Sequence, residues 1–159
     1  MNTLVVFDSQ YGNTEKIARQ ICKSLGEFGT ARAERVTELV PNALEGIELL
    51  VVGSPTQAWN ATDPIKSFLE RFEPALKRLI IAVFDTRVNR PRFLTGSAAN
   101  VMAKELQQHN INPLVKPECF LVTGMEGPLA KGELEHAAAW ARTLHEEFEF
   151  QVEPLDVPI

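Results

Sequence analysis

Cysteine is scarce in this 159-residue chain: Cys22 and Cys119 stand far apart, with no CxxC and no histidine near either at ligand spacing. A disulfide framework and a thiolate metal site are thereby excluded, and both residues are expected to be buried thiols within apolar runs. The three histidines, His109, His136 and His145, are scattered over helical stretches without an HExxH motif, so no metal site is expected. Long apolar runs are missing too. None approaches the roughly 18 to 20 residues a bilayer crossing needs, and Met1 to Gln10 has neither the basic start nor the cleavage site of a signal peptide. The expectation is a cytoplasmic protein without a membrane partner. Basic charge is in deficit, with 16 Lys plus Arg against 21 Asp plus Glu, a net charge of −5 and a pI near 5.3. There is no broad basic stripe to lay on nucleic acid.

What is present is an ordinary globular composition, 45% apolar, 23% charged and 8% aromatic, rich enough in core-forming residues to exclude disorder. The length fits one domain over residues 1–159. Thr3 to Asp8, Leu49 to Gly53 and Arg78 to Asp85 are short apolar, β-branched runs that stop at turn residues, the pattern of strands buried on both faces. Glu118 to Thr123 makes a fourth strand, and the alternating Ala31 to Val36 an edge strand.

Helical patterns lie between these runs. Ile17, Ala18, Ile21, Cys22 and Leu25 share one face before Gly26. Asp63 as cap and Pro64 at the first position open a helix carrying Ile65, Phe68, Leu69 and Phe72, which Pro74 closes. A third helix spans Ser97 to His109, with Val101, Met102 and Leu106 inward, and a fourth Glu133 to Phe150, with Leu134, Ala138, Ala141, Leu144 and Phe148 inward. Strands alternating with helices imply βαβ units: an α/β, three-layer, doubly wound five-stranded parallel sheet. Such sheets bind ligands outside the carboxyl ends of their strands, so the loops after the first, third and fourth strands are the candidate site.

The first of these loops reads Ser9-Gln10-Tyr11-Gly12-Asn13-Thr14 and opens directly into a helix. Hydroxyls, an amide and a glycine at a strand-to-helix turn make a cradle for an anion such as phosphate, although Ser, Asn and Thr are also ordinary helix caps. No Lys or Arg comes before Lys16, so neutral donors would hold the anion. The chain lacks GxGxxG and GxxxxGK[ST], which removes the dinucleotide fingerprint and the nucleoside triphosphatase loop. A phospho-receiver domain would need Asp where Gly53-Ser54 stand, and a low-molecular-weight phosphatase a Cys in the first loop.

Leu4 to Ile21, with its SQYGNTEKIA core, resembles the FMN phosphate loop of flavodoxins and flavodoxin-like proteins, matching their pattern at Ser9, Tyr11, Gly12, Asn13 and Thr14. That resemblance implies strand order 2-1-3-4-5, with non-covalent FMN at the carboxyl ends of strands 1, 3 and 4. Gly53-Ser54-Pro55-Thr56 resembles the family's second flavin loop. Pro55, Thr56, Gln57 and Ala58 would face the ring, and Trp59 would either stack on it or cover the end of the sheet. Where short electron carriers have a glycine whose peptide flips toward reduced flavin, this chain has Ala58 and Asn60, of which Asn60 tolerates a left-handed backbone better. The third loop, Asp85 to Gly96, includes Thr86 and holds Arg87, Arg90 and Arg92 in place of the carriers' outer tyrosine. It is either a solvated basic loop or one that brings Arg87 to the ring, where a positive charge raises the flavin's potential.

The resemblance covers roughly residues 1–148. The tail over 150–159 carries apolar Val152, Leu155, Val157 and Ile159, with Pro154 and Pro158 blocking a helix, and is expected to pack along the domain or against a partner. An FMN electron carrier docking to a redox partner protein is favoured. The alternatives are an FMN-dependent NAD(P)H:acceptor reductase of the quinone type, its arginines receiving the nucleotide's phosphates, and a flavin-free interaction module. A monomer or weak homodimer is expected.

Overall fold

The computed structural model describes residues 1–153. Strands β1 (Asn2–Phe7), β2 (Thr30–Arg35), β3 (Leu49–Pro55), β4 (Ile80–Val88) and β5 (Glu118–Val122) form one sheet in the order β2-β1-β3-β4-β5. Every adjacent pair is parallel. Helices α1 (Asn13–Leu25), α2 (Asp63–Arg71), α3 (Glu73–Leu76), α4 (Arg92–Thr95), α5 (Ala98–Gln108) and α6 (Glu133–Val152) lie between and after the strands. This is the expected doubly wound architecture and strand order.

Successive strand residues point to opposite faces, so a run apolar at every position needs cover on both sides. Leu4, Val6, Leu50, Val52, Ile81 and Val83 meet Ile65 and Phe68 of α2 and Met102 and Leu106 of α5. On the other face Val5, Phe7, Leu49, Val51, Ala82 and Phe84 meet Ile17 and Ile21 of α1 and Trp140 and Leu144 of α6. Each such buried side chain contributes about 1.5–3 kcal/mol. Close packing has a local requirement at Gly53, where an added Cβ would lie 2.0 Å from the Phe84 ring.

Several expected boundaries move. β4 extends to Val88, so Asp85, Thr86 and Arg87 are strand residues and not loop residues, held by pairing with β3 and β5. Pro55 likewise ends β3. The cap of α2 is Thr62, whose N–H donates to Ser54 Oγ at 3.1 Å; Asp63 is already helical. Pro74 does not end the segment but opens the short α3. The inward face of α6 is Ala137, Trp140, Ala141, Leu144 and Phe148, with Leu134 exposed and Ala138 half-buried, because Trp140 sets the helix's rotation against Phe84 and Phe120. Val101 is half-buried beside the buried Met102 and Leu106. Cys22 and Cys119 are half-buried, not fully buried. α6 runs on through Val152, taking the first residues of the expected tail into the helix; Pro154, Leu155, Val157, Pro158 and Ile159 lie outside the described residues.

Candidate functional site

β1 has β2 on one side and β3 on the other, so connections diverge at the β1/β3 boundary. That boundary is where doubly wound sheets leave a crevice. Here β1 stops at Phe7, opposite Gly53, while β3 and β4 continue together through Ser54–Asp85 and Pro55–Thr86. A cavity of about 370 Å³ opens above the shorter strand. The first loop contributes Ser9, Gln10, Tyr11, Asn13 and Thr14 to its wall, the second Pro55, Thr56, Gln57 and Ala58, and β4 Thr86, Arg87 and Val88.

The first loop is closed by its own hydroxyl. Ser9 Oγ accepts from the Gly12 N–H at 3.1 Å and the Glu15 N–H at 3.3 Å. Gly12 precedes α1 with φ +91°, yet a Cβ there would meet nothing within 4 Å, so it is the backbone conformation that requires glycine. From outside, Arg35 donates to the Ser9 carbonyl at 2.8 Å and to Glu15 Oε1 at 2.8 Å, and its guanidinium lies over the Phe7 ring. From below, the Thr14 and Thr86 hydroxyls, both buried, bond at 2.7 Å. The backbone N–H groups of Gln10, Tyr11, Asn13 and Thr14 have no acceptor among the described residues. Four free donors at a helix N-terminus suit an anion, and no basic side chain belongs to the turn.

The second loop is a tight reversal. Gln57 and Asn60 exchange two backbone bonds of 2.9 Å each, which forces Ala58 to φ +47° and Trp59 to φ +62°. The left-handed pair is therefore Ala58–Trp59, although Asn60 would tolerate that conformation better. Turns of this shape normally take Asn or Gly at those positions, so the loop holds backbone strain of order 1–3 kcal/mol per residue. Trp59 is 58% exposed and is not part of the cavity wall. Its side chain lies against Gly96, where an added Cβ would come within 2.6 Å. Thr56 anchors the loop, its N–H donating to the Thr86 carbonyl at 2.8 Å and its hydroxyl accepting from the Ala98 N–H at 3.0 Å. Gln57 Nε2 donates to Gln10 Oε1 at 2.6 Å, which joins the first two loops.

Asp85 and Arg87 occupy alternate positions on β4 with different fates. Asp85 is fully buried away from the cavity; its Oδ2 accepts from Ser97 Oγ at 2.6 Å and from the Ala99 N–H at 3.0 Å, at the start of α5. Arg87 reaches the cavity wall, and Nη1 donates to the Arg90 carbonyl at 2.8 Å. Arg90 and Arg92 are exposed and do not line the cavity. Behind this pair, burial and the Asp85 charge push the Cys119 thiol up, and burial pushes Cys22 up as well, which keeps both protonated and unreactive at neutral pH.

The sequence reading omitted Val88, Val122 and Met125 from the wall. Val88 and Val122 end β4 and β5, and Met125 belongs to the Gly124–Pro128 turn after β5, at the same carboxyl end. Asn13 Nδ2 donates to the Glu126 carbonyl at 3.1 Å, and a Cβ on Gly127 would fall 2.7 Å from the Asn13 amide. Among the described residues there is no cluster of three or more His, Cys, Asp or Glu able to hold a metal, and no helix long and apolar enough to cross a membrane.

The sequence pattern that defines flavodoxins matches residues 5–89, more than half of the chain. The chain belongs to the flavodoxin family. Among curated proteins none matches this flavodoxin by sequence. Solved structures share its fold at low identity. The rubredoxin oxygen:oxidoreductase of the anaerobe Desulfovibrio gigas superposes with TM-score 0.76 and 16% identity over 96% of this chain but only 37% of its own. A flavodoxin from the domain Archaea gives 0.73 and 16% over 94% of this chain and 99% of its own. Flavodoxin 1 of Bacillus cereus gives 0.71 and 17% over 96% and 100%. The chain thus spans little more than a third of the first of these and nearly the whole of the other two.

Proposed function

We propose that this flavodoxin binds FMN non-covalently at the carboxyl ends of β1, β3 and β4 and acts as an electron carrier. The observation that carries the reading is the turn from Ser9 to Thr14, which has four backbone donors without an acceptor among the described residues and lines a cavity of small-molecule size. In this reading the Ser9 hydroxyl and the N–H groups of Gln10, Tyr11, Asn13 and Thr14 hold the phosphate. Gly12 sets the turn, and Thr14 is itself pinned by Thr86. Pro55, Thr56, Gln57 and Ala58 border the ring on one side and Arg87 and Val88 on another. Tyr11, on the cavity wall, is better placed for stacking than Trp59, which stands outside it.

Bound FMN supplies the redox chemistry, accepting and releasing one or two electrons. The chain's task is to bind, orient and bias. Arg87 brings a fixed positive charge to the cavity wall, which favours the anionic reduced flavin and raises its potential. Asp85 is no contact of the ring in this reading. It fixes the start of α5 and, through Ser97, the loop that carries Arg90 and Arg92.

Titration of the purified protein with FMN, followed by visible absorption and flavin fluorescence, tests the assignment. Saturable quenching at one site per chain is expected. No binding would favour a flavin-free interaction module, and rapid bleaching of bound flavin by NAD(P)H alone would favour the reductase.

A further inference from the structure

The charges at the cavity mouth oppose those of the whole chain. The turns at residues 9–14 and 54–62 carry no ionisable acid or base apart from Tyr11, and no carboxylate occurs between Asp85 and Glu105. Arg87, Arg90 and Arg92 fall within that carboxylate-free stretch, and the turn after β5 offers only Glu126 against them. Arg90 and Arg92 thus give the rim beside the candidate site a local excess of positive charge in a chain that is at −5 as a whole. Arg90 and Arg92 form no ion pair with a carboxylate of the described residues.

Apolar groups surround this charge. Phe93 is 81% exposed and Leu94 52%, both on the short α4, while Trp59 reaches α4's end at Gly96 and Met125, 79% exposed, stands on the cavity's other side. Aromatic residues, methionine and arginine together, with few lysines or carboxylates, are the composition that marks the centre of a protein interface.

We propose that Trp59, Arg90, Arg92, Phe93, Leu94 and Met125 form the docking surface for an acidic redox protein. The proposal rests on the FMN reading for its purpose, since the surface borders the cavity through which electrons would pass. A pyridine nucleotide fits these residues less well. Nucleotide sites are concave and bury most of their ligand, whereas Arg90 and Arg92 project from the cavity's outside beside an almost fully exposed phenylalanine. Complementary charge supplies encounter rate and orientation, and the apolar rim supplies the contact that persists once water is expelled.

The test uses the full chain, FMN-loaded and FMN-free, titrated by NMR with an oxidised acidic plant-type ferredoxin and, separately, with basic cytochrome c and with NADPH. Ferredoxin is expected to bind both forms and to shift amide signals of residues 90–97 and Trp59. Its affinity should fall by about tenfold or more between about 0.01 M and 0.1 M salt, as the screening length shrinks from ~30 Å to ~10 Å. The Arg90→Glu/Arg92→Glu variant should lose about tenfold or more of that affinity while keeping its FMN affinity, since neither side chain lines the cavity. Phe93→Ser, which preserves charge, should weaken binding with its salt dependence unchanged. No ferredoxin binding, tighter binding of cytochrome c, or NADPH binding that the double charge reversal abolishes each overturns the proposal. Ferredoxin docking by a protein that takes up no FMN would uphold the surface and sink the flavin reading, so the two fail separately.

Discussion

The sheet has a cavity at each end, and the larger one is the less informative. At the amino end of β3 and β4 a groove of about 480 Å³ is lined by Pro41, Leu44, Ile47, Phe72, Ala75, Arg78 and their neighbours. Its backbone is satisfied in alternation: the N–H groups of Ala43, Glu45, Ile47, Arg78 and Leu79 reach nearby carbonyls while those of Asn42, Leu44 and Gly46 have no acceptor among the described residues, and Arg32 and Asn2 bond the carbonyls of Ala43 and Gly46. Its left-handed position is Gly46, which adopts φ +72° without strain. The carboxyl-end cavity holds about 370 Å³, yet four N–H groups of its first loop lack acceptors, and its left-handed positions are Ala58 and Trp59. Volume does not separate a site from a packing defect. Free donors gathered at a helix N-terminus and strain kept at non-glycine residues do, because the groove's free donors alternate with paired ones in a turn that leads into a strand and its left-handed residue is a glycine.

The comparison breaks first at the phosphate. Riboflavin, which lacks it, should bind at least about 100-fold more weakly than FMN, because hydrogen bonds to a charged group contribute about 1.5–3 kcal/mol each and two suffice. Equal affinities in a fluorescence titration would remove the anion from the first loop. Next in size is Gly53→Ala, whose methyl must displace the Phe84 ring beneath the cavity. A loss of about 1–3 kcal/mol is expected in urea unfolding, and an unchanged midpoint would mean that the ring moves freely.

Ala58→Gly sharpens the contrast between the two ends. It should raise stability by roughly 0.5–1 kcal/mol, the left-handed strain relieved exceeding the entropy added to the unfolded chain. A loss of stability would show that the turn holds no strain. The Cys119 thiol has its pKa raised in the fold, so the native state holds this proton more tightly than the unfolded chain. Its contribution is complete below the ordinary thiol value of about 8.5 and is lost as pH rises through the folded value. Stability should therefore decline above about pH 8.5, and less steeply in Cys119→Ala; parallel curves would assign the decline to other groups. The smallest effect belongs to the amino-end groove. Arg78→Glu should leave FMN affinity unchanged and stability within about 0.5 kcal/mol, and a marked loss of FMN affinity would show that the two ends are coupled.

Much of the fold was legible from local pattern. The all-apolar runs at Leu4–Phe7 and Leu49–Val52 could only be central strands, and the turn from Ser9 to Thr14 announced itself by residue type. Positions set by neighbouring elements were less legible. β4 outruns its apolar stretch because Asp85 and Thr86 are paired on both sides and Arg87 with β5, polar though they are. The rotation of α6 follows Trp140, a residue that the alternative apolar stripe through Leu134 passed over. Trp59 was open to two readings by its place in the chain, stacking or cover for the end of the sheet, and only the 57–60 reversal shows its side chain set against Gly96.

The sequence by itself determined the strand runs, the α/β alternation and the turn that opens α1, since these depend on side-chain period and local backbone preference. Only the tertiary structure decided which donors stay free, which of Asp85 and Arg87 meets the cavity, and that three arginines gather with exposed Phe93 and Trp59 on one rim of an acidic chain. Those outcomes depend on pairing register and on contacts between residues distant in the chain, neither of which leaves a local period to read.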